Sequence, residues 1–167
     1  MMQIRLLTIF LLTISMISST VAENENTLRG ESLNDISKRA YTGDPEALYL
    51  LGVAYLSGTG VIQDKIAAMD NFSKAASEGD AMSQIMLGSH LRSTNKAEAY
   101  AWLTTAIKQH PQNPSMVSAD LALKALEKEL DPAALSKGLA LAKTYRSEQV
   151  KHTIRSAHNL CRPLQDL

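Results

Sequence analysis

Residues 43–79 read GDPEALYLLGVAYLSGTGVIQDKIAAMDNFSKAASEG, and their reading decides the fold. Two apolar runs at helical spacing flank a turn built on Gly58 and Gly60. Asp44 is a natural N-cap, with Pro45 at the first helical position, where its missing N–H costs nothing. From there Ala47, Leu48, Leu51 and Tyr55 recur on one helical face. Gly52 lies at the edge of that face and leaves room for a neighbouring helix to come close. Gly58 ends the helix and Gly60 allows the positive φ that the turn needs. Val61 folds back as an apolar plug, and Asp64 caps a second helix. That helix turns Ala68, Met69, Phe72, Ala75 and Ala76 inward and ends near Gly79. The stretch predicts a helix pair.

The chain then repeats itself. At an offset of 36 residues, Gly43-Asp44 falls on Gly79-Asp80 and Leu51-Gly52 on Leu87-Gly88. Ile36 and Ala40 fall on Phe72 and Ala76 at the same offset. Downstream the offset becomes 31, with Ala68, Phe72 and Ala75 on Ala99, Leu103 and Ala106. The lost residues are a loop, since the second copy has no Gly-x-Gly-Val turn. A fixed period of this length marks a stacked array in which each unit covers its neighbour's apolar side. Leu33 and Ile36 supply a cap at one end. At the other, Val117, Leu121, Ala125 and Leu126 fit one helix, and Asp131-Pro132 opens another carrying Leu135, Leu139 and Ala142.

The pattern A-x3-LG-x2-Y-x2-G-x-GV-x2-D-x3-A-x3-F-x2-AA-x2-G, from Ala47 to Gly79, resembles a SEL1-like repeat, a relative of the tetratricopeptide repeat. The second copy keeps Leu87, Gly88, Ala99, Trp102, Leu103 and Ala106 but loses the turn, and has Leu91 in place of the tyrosine. The third pair resembles the closing helices of short SEL1-like proteins. The resemblance implies an all-α chain, a right-handed α-solenoid of helix-turn-helix repeats. It places repeat 1 at about 43–78, repeat 2 at about 79–110 and a closing pair at about 114–145, within a repeat domain of 31–145.

Ahead of that domain, MMQIRLLTIFLLTISMISSTVA (1–22) has one basic residue, no acidic one and a short apolar centre. This is the pattern of a secretory signal peptide cut before Glu23, its apolar run being shorter than a bilayer span. Glu23 to Gly30 is expected to be loose. The expected location is periplasmic or secreted, without stable membrane insertion after cleavage. Seventeen basic residues against seventeen acidic ones give no long-range pull toward nucleic acid. Cys161 stands alone, so the core rests on packing rather than disulfides. Burial and pairing between chains are both open to it.

No catalytic, cofactor-binding or metal-binding set is expected. His90, His110, His152 and His158 lack zinc-ligand spacing. His90 takes the place of inward Ala54 and is expected to be partly buried. Glu127, Glu129 and Asp131 read as a solvated helix end. Gly58-Thr59-Gly60 lacks the lysine of a phosphate loop, and Asn71-Phe72-Ser73, although it matches a glycosylation acceptor, lies mid-helix.

Two surface features remain. Tyr49, Val53 and Leu56 lie opposite Leu51, with Ile85, Ser89 and Arg92 one repeat later. First helices of such pairs line the inner curve of a solenoid, so this stripe is a candidate protein-binding surface; the alternative is packing on the adjacent pair. Trp102 is expected in the core. The tail (146–167) is basic, and Val150, Ile154, Ala157 and Cys161 extend a helical stripe. It serves either as a contact to a partner or acidic surface, or as a fold-back over the last core layer. The resemblance implies a non-enzymatic exported adaptor acting in envelope or host-interaction processes. Two alternatives stand beside it: direct contact with the cell wall or regulation of a cell-wall enzyme, and β-lactam hydrolysis. The last is known from cysteine-rich relatives, and the single cysteine here weighs against it.

Overall fold

A computed structural model describes residues 27–160, with side chains considered to Lys151. The leader, Cys161 and the end of the tail lie outside the described residues. The described chain opens on a hairpin, β1 (Thr27–Leu28) paired antiparallel with β2 (Glu31–Ser32). Helices follow in order: α1 (Leu33–Tyr41), α2 (Pro45–Ser57), α3 (Lys65–Ser77), α4 (Ala81–Leu91), α5 (Lys96–Gln109), α6 (Met116–Glu129) and α7 (Pro132–Leu160).

The hairpin corrects the expectation of a loose segment through Gly30. Arg29 and Gly30 both take positive φ, 55° and 83°, as a two-residue hairpin turn requires. Leu28 packs against the first core layer and Arg29 pairs with Glu46 at 2.9 Å, so the turn is held at both faces.

The repeat punctuation is shared by both copies. Gly43 and Gly79 are left-handed at φ 85° and 97°, and each is followed by an aspartate cap. The Asp44 side chain accepts from Ala47 N–H and that of Asp80 from Ser83 N–H. Gly58 closes α2 at φ 78°, and Asp64 then accepts from Ile66 and Ala67 N–H. The Ala47 N–H, with the Arg39 guanidinium beyond it, holds the Asp44 carboxyl below the ordinary carboxylate range. A group so lowered stabilises the fold above its unfolded pKa of about 3.9, and loses that effect as pH falls through the lower native value. Asp44→Ala is expected to cost about 1 kcal/mol at neutral pH, as cap removal does. Urea unfolding checks this, and the difference from wild type should shrink as the medium is acidified.

Among the described residues four core layers each join neighbouring elements, the smallest being Ala81, Ala106 and Met116 from α4, α5 and α6. Ile36, Ala47, Leu48, Leu50 and Ala75 bind α1, α2 and α3 together. Ala68, Phe72, Ala76, Leu87 and Trp102 join α3, α4 and α5, with Trp102 in the core. Ala99, Tyr100, Leu103, Ala119 and Leu126 join α5 to α6. No layer is confined to one helix pair, which is the physical content of an α-solenoid. Close approach is glycine-dependent: a Cβ on Gly52 would stand 2.6 Å from the Phe72 ring, and one on Gly88 2.7 Å from Leu103. These are the same contact one repeat apart.

The far end departs from the expected closing pair. α6 and α7 both pack on α5 rather than face to face, and α7 also reaches α3. Gly138 lies on Ala97 and Tyr100 at the start of α5, while Gln149 reaches Gln109 at its end, so α7 runs parallel to α5. The inward side of α7 is Leu135, Gly138, Ala142, Tyr145 and Gln149; of the expected stripe residues Leu135 and Ala142 lie inward, whereas Leu139 and Val150 are exposed. On α6 the buried face is Met116, Ala119 and Leu126, with Val117 and Leu121 exposed on the opposite side. His90 is exposed too. Ala54, its counterpart, is covered by the Gly58 turn, whose Gly58 and Thr59 N–H groups bond the Ala54 carbonyl; the second copy has no such turn.

Candidate interaction surfaces

The six stripe residues do not form one surface. Tyr49 is half-buried with its ring centroid 5.9 Å from that of Phe72, and Val53 and Leu56 lean on the layer around Phe72. Ile85 is packed under α5 and α6. Ser89 is exposed, and Arg92 sits half-buried toward Glu129. Lys96 bonds Glu129 at 2.8 Å and, with Arg92 adding its charge, holds that carboxyl below its ordinary range.

Tyr49 and Val53 instead share an inner groove of about 440 Å³ with Leu28, Glu46 and Met82. Arg29, Leu50 and Asp80 complete its walls. The hairpin supplies one side and the N-terminus of α4 the other. Its floor is apolar and its rim carries an ion pair, the usual make-up of a peptide-sized recognition site. Sequence reading missed Leu28 and Arg29; the signal for them was Arg29-Gly30 set between Leu28 and Glu31.

A second groove, of about 530 Å³, lies on the other side of α2, between α1 and α3. Leu48 and Leu51 line it from α2, and Tyr41, Asn71 and Lys74 from the flanking helices.

Several other polar groups have structural work. Asp131 caps α7 through Ala134 N–H at 2.7 Å, and Glu127 accepts from the Tyr100 hydroxyl at 3.0 Å. The His110 Nε2 lies 3.0 Å from the Gly79 carbonyl. Tyr145 stacks on Trp102 at 4.1 Å and donates to Glu98 at 3.3 Å. Burial, then the Glu98 carboxylate, push the Tyr145 phenol up to about 12. Gln84 donates to the Ala76 carbonyl and to Gln109, Gln109 donates to Gln149, and Gln149 returns to the Ala76 carbonyl at 2.6 Å. Among the described residues no three His, Cys, Asp or Glu stand together as metal ligands. No described helix is long and apolar enough to cross a membrane.

Fold and surfaces together define a helical repeat scaffold with grooves between its helices. Residues 45–80 and 81–111 match the Sel1 repeat, so the chain contains two SEL1-like repeats. No curated protein matches it. A solved structure of a protective antigen present in uropathogenic Escherichia coli strains, displaying an SLR fold, is similar at TM-score 0.63 and 24% identity. The match covers 78% of this chain and 28% of that one, so the present chain corresponds to a part of a longer array. Sel1 repeats generally mediate protein–protein interaction, and the fold is typically a non-catalytic scaffold.

Proposed function

We propose that this chain is a non-enzymatic exported adaptor that holds a protein partner in the inner groove at Tyr49 and Val53, in envelope or host-interaction processes. The observation that carries the reading is an open apolar floor rimmed by the Arg29–Glu46 pair. The basic start and short apolar centre of residues 1–22 support export. In-cell cross-linking with mass spectrometry tests both parts. A mature N-terminus near Glu23 and one reproducible partner, lost in Met82→Glu and Arg29→Glu with unchanged helical circular dichroism, are expected. An uncut chain would refute export, and partner capture indifferent to both substitutions would refute the groove.

A further inference from the structure

The internal repeat makes the outer groove informative. At the offsets of 36 for α1 and α2 and 31 for α3, its walls have counterparts one repeat later. Ala40 corresponds to Ala76, Leu48 to Gln84, Asn71 to Trp102 and Glu78 to Gln109. Those four counterparts are the residues on which α7 lies. Tyr145 stacks on Trp102, and Gln149 is tied to the Ala76 carbonyl and, through Gln109, to Gln84. The same groove thus occurs twice: once filled by a helix of this chain, once open at about 530 Å³ with Tyr41 93% exposed at its rim.

We infer that the groove between α1 and α3 is a docking site for an amphipathic helix of a partner protein, lying parallel to α3 as α7 lies parallel to α5. The residue changes state what that helix must carry. Gln149 donates to the Ala76 carbonyl and accepts from Gln109, whose counterparts are the Ala40 carbonyl and Glu78, so its position calls for a donor. Trp102 is replaced by Asn71, whose side-chain N–H is engaged by the Ala67 carbonyl at 2.8 Å. Its carbonyl oxygen then asks for a donor where Tyr145 stands. The recognised pattern is two donors four residues apart, adjacent positions on one helix face. The inference rests on the adaptor reading for its biology and adds a second surface to it.

A stapled, fluorescein-labelled peptide of Leu135–Lys151 with Tyr145→Gln is the probe, titrated against the full chain by anisotropy. Saturable micromolar binding is expected. It should weaken about tenfold with Tyr41→Glu or Lys74→Glu, both exposed positions, and about fivefold when the peptide keeps its native Tyr145. Emission from Trp102, the sole tryptophan, should not move, because α7 stays in place. Absence of binding, binding indifferent to Tyr41→Glu, or a Trp102 shift reporting displacement of α7 would overturn the inference. So would a photo-cross-linker at position 41 joining residues 1–26 of the same chain, or a dimer in sedimentation that Tyr41→Glu dissolves. Met82→Glu and Arg29→Glu leave this groove intact, so loss of inner-groove capture and loss of peptide binding are separate results.

Discussion

Trp102→Ala is expected to lower stability by about 3–5 kcal/mol, the range for removing a buried large aromatic side chain. Trp102 joins two things at once. Its ring belongs to the layer of Phe72, Ala76 and Leu87, and its outer face receives Tyr145 from α7. Truncation opens a cavity under the layer and removes a stacked pair worth about 0.5–1.5 kcal/mol beyond burial. Urea unfolding followed by circular dichroism reads the total, and hydrogen exchange reads where it falls. Amides around Ala142 to Lys151 should lose protection beyond the global loss, since the glutamine links at Ala76 remain as the main tie at that end. Unchanged protection there would mean that α7 is not held by the stack.

Gly52→Val is expected to cost about 1–3 kcal/mol through overpacking. The new Cβ would meet two Phe72 ring carbons at 2.6 and 2.8 Å, and that ring is fully buried against Tyr49. It cannot swing clear without breaking its layer. Phe72→Ala combined with Gly52→Val should cost less than the two single changes added together, because the ring that the new side chain meets is then gone. Thermal unfolding of the two single variants and the double variant measures this coupling. A stable Gly52→Val would show that α2 and α3 do not approach as described.

Much of this was legible because the first repeat states its own geometry. The Asp44 and Asp64 caps, the Gly58 turn and the Gly52 contact all lie where spacing alone places them. The second repeat could be followed by its offsets, and Trp102 is in the core as expected. The hairpin was not legible: two-residue strands have no periodicity, and Leu28 gains meaning only from the layer it touches. α7 misled for a different reason. Its inward side interleaves Gly138, Ala142 and Gln149 with Leu135 and Tyr145, so the expected apolar stripe found Leu135 and Ala142 but also took in the exposed Leu139 and Val150. α6 carries a second apolar row, Val117, Leu121 and Ala125, beside the buried one at Met116, Ala119, Leu123 and Leu126, and the expected stripe followed mainly the second row. The candidate stripe divided because equivalent positions on α2 and α4 have different neighbours. Tyr49 faces the hairpin groove, whereas Ile85 is roofed by α5 and α6.

The central claim is that successive helix pairs stack through one repeated contact, a glycine of the first helix against the large residue of the second. Nuclear Overhauser spectroscopy on the labelled chain tests it most directly. Strong cross-peaks from the Gly52 Hα to the Phe72 ring and from the Gly88 Hα to the Leu103 methyls are predicted, both in one folded species. A helical, cooperatively folded sample lacking both sets would contradict the stacking.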